Sequence, residues 1–197
     1  MTSAWLDRKL VEDFVAGRLD ADGEARLADQ VARILPLHAQ LPNPMVAALS
    51  RVEKRVGGEA GVLDLLERHP GRPRQVARLY RFIRLLDELT DEPAVIDALA
   101  EVRERTPYPP GLAEYLIPAT DKTTLASLGQ TIEALIGDGR TDEAARLADA
   151  TAAMLQQAAP AVVEREPRLR GRFDELQRIR VDSQFLPDKP QREDEPQ

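Results

Sequence analysis

The sequence predicts an all-α protein, and three observations carry that expectation. Of its 197 residues, 27 are Ala and 26 are Leu. Only eight are aromatic, one Trp, three Tyr and four Phe. Ala and Leu are among the best helix formers, whereas strands favour β-branched and aromatic side chains. The apolar residues also recur with helical period along the chain. The expected architecture is a bundle of about five to six helices over residues 1–105, a Pro-rich junction at 106–111, a helical hairpin plus one further helix over 112–186, and a disordered tail at 187–197.

The first helix is expected to start after Ser3 as N-cap and run to about residue 18. Leu6, Leu10 and Phe14 lie on one face, widened by Trp5, Val11 and Val15. An acidic turn at 19–23 precedes a second helix, with Leu27, Val31, Ile34 and Leu35 inward. Residues 36–42 read as a loop. Asn43 and Pro44 then form a start signal, Asn as cap and Pro where its missing N–H costs nothing. Met45, Leu49, Val52 and Val56 make the next stripe, ended by Gly57-Gly58. A short helix over 59–69 turns in Val62, Leu65 and Leu66, and Pro70-Gly71 stops it. The longest stripe comes next, at 74–89, with Val76, Leu79, Phe82, Ile83, Leu86 and Leu89. Pro93 opens a further helix carrying Val95, Ile96, Leu99 and Val102.

Residues 106–111 hold three Pro in six positions. Pro removes backbone donors and biases the preceding residue away from helix. The segment is therefore either a boundary between two units or a rigid loop inside one. Beyond it, Leu125, Leu128, Ile132, Leu135 and Ile136 mark one helix, and 137–140 is a tight turn. Thr141 is the expected cap of the next helix, with Asp142 and Glu143 suited to its dipole. Ala144, Leu147, Ala148, Thr151 and Leu155 face inward, and Pro160 is expected to lie past that helix. Glu166-Pro167 starts the last one, with Leu169, Phe173, Leu176 and Ile179 inward. Three Pro and six charges crowd 187–197, where no other apolar side chain occurs, so that tail is expected to be disordered.

Gly139-Arg140-Thr141-Asp142-Glu143-Ala144 resembles the inter-helix turn of tetratricopeptide (TPR) repeats, and residues 128–156 look like one such hairpin. The resemblance implies peptide binding. Ile132 stands where that family has a small residue, and no second copy recurs with a 34-residue period. Residues 10–31 loosely resemble the helical part of bacterial zinc-binding anti-sigma domains. That stretch holds no Cys or His, so no metal-dependent reading follows.

Composition narrows the chemistry. The chain has no Cys and only two His, His38 and His69, so disulfides, thiolate sites, cysteine catalysis and multi-histidine metal centres are not expected. No metal or other cofactor is expected. Net charge is −7, against a protein built mainly to bind nucleic acid or anionic lipid. Charges from Asp7 to Asp13 break up the start of the chain before an apolar run develops, so no signal peptide is expected. A cytoplasmic protein of a bacterium is the default, since 23 of the 27 basic residues are Arg and that bias suits a GC-rich genome.

The most unusual local feature is 68–86, which holds Arg68, Arg72, Arg74, Arg78, Arg81 and Arg84 and no acid. Arg74, Arg78 and Arg81 share one helical face, with Tyr80 nearby. Guanidinium forks suit carboxylate and phosphate, so these residues form a candidate partner-binding face; a solvated face paired with acids elsewhere is the plainer reading. Tyr108, set among prolines, is a second candidate contact. Arg165, Arg168, Arg170, Arg172, Arg178 and Arg180 alternate with acids and suit intrahelical ion pairs. His69 before Pro70-Gly71 fits a helix C-terminus, and no residue pattern marks it as a catalytic base. Asp20, Asp22 and Glu24 suggest the start of a calcium loop, but Val31 stands where the bidentate Glu belongs. Trp5 reads as a core residue of the first helix.

These features together lead to a non-enzymatic α-helical interaction module, an adaptor or scaffold. It would accept an unidentified protein or peptide, possibly acidic, in a groove steered by Arg74, Arg78 and Arg81. A nucleic-acid-associated regulator using the 68–84 face is the alternative, and a homo-oligomer is compatible with both.

Overall fold

A computed structural model describes residues 5–106, 109, 112, 115 and 125–179. Among the described residues the secondary structure is wholly helical. The α-helices are α1 (Arg8–Val15), α2 (Ala21–Ile34), α3 (Asn43–Val56), α4 (Glu59–Glu67), α5 (Arg72–Thr90), α6 (Pro93–Arg105), α7 (Leu125–Gly137), α8 (Thr141–Arg165) and α9 (Arg170–Ile179). Two 3-10 turns, Leu35–Gln40 and Pro167–Leu169, complete the set. The first of these replaces the loop expected at 36–42.

Local chemistry accounts for most helix ends and for most departures from expectation. The Asp7 carboxylate accepts from the N–H groups of Lys9 and Leu10, so α1 starts at Arg8. An acidic cap satisfying two orphan donors terminates the helix upstream. Trp5 is left outside α1 with 59% of its surface exposed, which corrects its assignment to the core. Asp20 caps α2 through the Gly23 N–H at 2.8 Å. The alternating acids at 20, 22 and 24 are thus a cap followed by two first-turn residues on the positive end of the dipole. Helix α3 begins at Asn43 itself, whose side chain makes no capping bond. Gly57 closes it at φ +88°, a left-handed conformation open to Gly at little cost.

Gly139, at φ +76°, makes the turn between α7 and α8, and Arg140 donates its N–H back to the Leu135 carbonyl at 2.8 Å. Thr141 is the first residue of α8 rather than its cap. That helix continues through Pro160 to Arg165, where the proline was expected to lie beyond it. Leu155, Ala158 and Val162 are buried on both sides of Pro160, and their packing keeps the helix intact where one backbone donor is missing.

The buried apolar residues fall into two clusters that meet inside α5. One gathers Leu10 and Val11 of α1, Leu27, Val31 and Ile34 of α2, Leu49 and Val52 of α3, Val62 and Leu66 of α4, and Val76 and Ala77 of α5. The other takes Leu79, Phe82, Leu86 and Leu89 of α5 with side chains of α6, α7, α8 and α9. Tyr80 packs against both. Residues 107, 108, 110 and 111 of the Pro-rich segment lie outside the described residues, as does the tail at 187–197. Helix α6 before the segment and helices α7 and α8 after it bury side chains in one shared cluster.

Candidate interaction surface

Helices α4 and α5 follow one another through a short turn and pack antiparallel, which brings three acids of α4 opposite the arginines of α5. Arg84 pairs with Glu59. Arg81 pairs with Asp64 and lies 3.1 Å from Glu67. Arg78 lies 3.8 Å from Glu67. Arg74 donates from Nε to the Glu67 backbone carbonyl at 3.0 Å, satisfying an orphan acceptor at the end of α4. The acids that answer the stripe therefore sit immediately upstream of the acid-free window. Arg78 and Arg81 expose only 22% and 29% of their side chains, so a ligand could reach them only by displacing α4 carboxylates. Arg72 is exposed. Tyr80 is half-buried, and burial, reinforced by Glu133 and Glu59, pushes its hydroxyl up to about 12. Its ring fills the junction of the two clusters, a packing position. Tyr108 lies outside the described residues.

The second arginine set makes connections between helices as well as the intrahelical pairs expected of it. Arg168 forms a two-pronged bond to Glu92 at 3.0 and 2.7 Å. Arg165 reaches Glu101 on α6 at 2.5 Å, and Arg172 reaches Glu88 on α5 at 2.8 Å. These guanidinium groups hold Glu92 and Glu101 below the usual carboxylate range. The three pairs fasten the α8–α9 corner to α5 and α6. His69 likewise bridges elements, with Nε2 3.3 Å from Glu24 Oε1.

A cleft of about 280 Å³ opens where the ends of α1 and α3 meet the start of α2. Half-buried Phe14, Leu19 and Val56 supply its apolar lining, with Glu24 on one wall and Arg55 at the rim. A Cβ placed on Gly17 would meet the Arg55 guanidinium at 3.7 Å, so that group leans over the end of α1. Glu24 faces both His69 and Arg68, the latter at 3.8 Å. A smaller crevice of about 150 Å³ lies between α4, α5 and α9, but its arginines, Arg81 and Arg84, are already paired with α4.

Arg72, Arg170 and Arg178 are exposed without an ion pair among the described residues, and three further such cations cluster on α3. Arg51, Lys54 and Arg55 are exposed and have no carboxylate partner among the described residues. Their spacing of three and four residues places them on one face of that helix. Sequence reasoning passed over them because Glu53 sits among them. Glu53 is half-buried and pairs with none of them, a distinction that linear charge counting does not make.

Among the described residues no group of three or more His, Asp or Glu is arranged to hold a metal ion. No described helix is long and apolar enough to cross a membrane. Compared with known proteins, the chain matches no family model, no curated protein and no solved structure.

Proposed function

We propose that this protein is a non-enzymatic α-helical interaction module, an adaptor or scaffold of the bacterial cytoplasm, that docks a partner at the cleft between α1, α2 and α3. The observation that carries the reading is the cleft itself, a recess of mixed lining in which Phe14, Leu19 and Val56 sit with Glu24 and Arg55, beside three exposed cations that have no carboxylate partner among the described residues. Apolar anchors seated in such recesses provide most of the energy of small interfaces, and flanking charge sets approach and orientation. The steering role expected of Arg74, Arg78 and Arg81 passes to Arg51, Lys54 and Arg55, because Arg78 and Arg81 pair with α4 carboxylates and Arg74 is bonded to the last carbonyl of α4.

Affinity purification from the native host, with the tag at either end of the chain, tests this reading. It expects the same partner from both tagged forms; recovery of none above background overturns it. The rival role, nucleic-acid binding through the 68–84 face, predicts a mobility shift at low salt that weakens steeply as salt rises. Pairing of that face with α4 favours protein docking, and no such shift is expected.

A further inference from the structure

We propose that Arg51, Lys54 and Arg55 and the adjoining cleft form one continuous docking surface for an acidic peptide segment of a partner protein that carries a single large apolar anchor residue. The proposal rests on the interaction-module reading and assigns it a surface and a partner chemistry.

Arg55 belongs to both halves of the surface. It is the last of the three cations on the outer face of α3, and it stands at the rim of the cleft. The opposite face of α3 buries Met45, Leu49 and Val52, which anchors the helix and directs its three cations to the outside. Charge complementarity identifies the partner. The chain carries 34 acids against 27 Lys and Arg, yet three neighbouring cations here have no carboxylate partner among the described residues. The nearby acids do not answer them: Glu24 in the cleft wall faces His69 and Arg68, and Glu53 is half-buried and forms no ion pair among the described residues. A row of bound carboxylates would satisfy all three cations, while the recess of about 280 Å³ takes one Leu, Phe or Trp side chain beside them.

The same features disfavour two other anionic partners. Duplex DNA is held by many phosphate contacts, commonly about 6–10, and three cations supply few of them. A bilayer is entered by protruding apolar side chains, whereas Phe14, Leu19 and Val56 are half-buried and line a recess.

The test titrates the full-length, ¹⁵N-labelled protein with a synthetic 12-residue peptide of Asp and Glu around a central Trp. Amide shifts are expected at Gly17, Leu19, Arg55 and Val56. Replacing the Trp with Ser is expected to weaken binding at least fivefold. Reversing the patch with Arg51→Glu, Lys54→Glu and Arg55→Glu is expected to weaken it at least tenfold; all three side chains are exposed, and circular dichroism checks that the fold is kept. No shift, shifts confined to other faces, equal binding by the reversed variant, or tighter binding to a 12-base-pair duplex or to phosphatidylserine vesicles overturns the proposal. Purification of the reversed variant from the host separates the two levels. A partner lost with the reversal supports the surface. A partner kept overturns the surface and leaves the module reading standing. No partner with either form overturns both.

Discussion

Glu143 shows how one residue's behaviour is set by groups it meets only after folding. Its carboxylate accepts from Arg140 at 2.8 and 2.6 Å and from the Tyr115 hydroxyl at 3.0 Å. Those two donors pull it down from 4.5 to about 2. A carboxylate whose folded value lies below its unfolded one stabilises the protein above the unfolded value, and that contribution fades as pH falls toward the folded value. Part of the stability present above about pH 4.5 should therefore vanish by about pH 2. Urea midpoints measured across that window should fall less steeply for Glu143→Gln than for the parent chain, and parallel slopes would refute the assignment. The effect is modest because the pair is largely in water. Acids in the first turn of this helix were legible in the sequence from the helix dipole. Their partner Tyr115 was not, because it lies 28 residues away. Trp5 fails for a local reason: it fits the periodic stripe, but the cap at Asp7 cuts the helix short of it.

Single helices were the most legible level, and α8 marks where that legibility stops. A proline inside a helix removes one bond and crowds the preceding turn, which costs about 3 kcal/mol, so ending the helix before Pro160 is what local propensity favours. Burial of Leu155, Ala158 and Val162 along the same face outweighs that cost. Pro160 is itself exposed, so Pro160→Ala removes the penalty and loses no packing. The variant should gain about 1–3 kcal/mol, read as a higher urea midpoint with unchanged slope. A midpoint equal to or below the parent's would mean that the proline is accommodated without strain. Helix α5 makes the complementary point: its arginine stripe was readable, but what the arginines do depends on α4, whose acids lie just outside the window that drew notice.

Across the whole molecule, α5 couples the two buried clusters, with Val76 and Ala77 in one and Phe82, Leu86 and Leu89 in the other. A continuous helix of 19 residues cannot lose half its packing without exposing the rest. The chain should therefore unfold in one cooperative transition, with equal calorimetric and van't Hoff enthalpies. Two resolved transitions would show that the clusters fold independently. The arginines at 165, 168 and 172 add to the coupling by holding the α8–α9 corner on α5 and α6. By itself the sequence determined that this protein is helical and which stripes are buried, because period and capping act within a few residues of chain. Only the tertiary structure decided which charges remain free for a partner. Ion pairing acts over a few ångströms between residues remote in sequence, and here it answers Arg78, Arg81 and Arg84 on α5 while leaving Arg51, Lys54 and Arg55 on α3 without a carboxylate among the described residues.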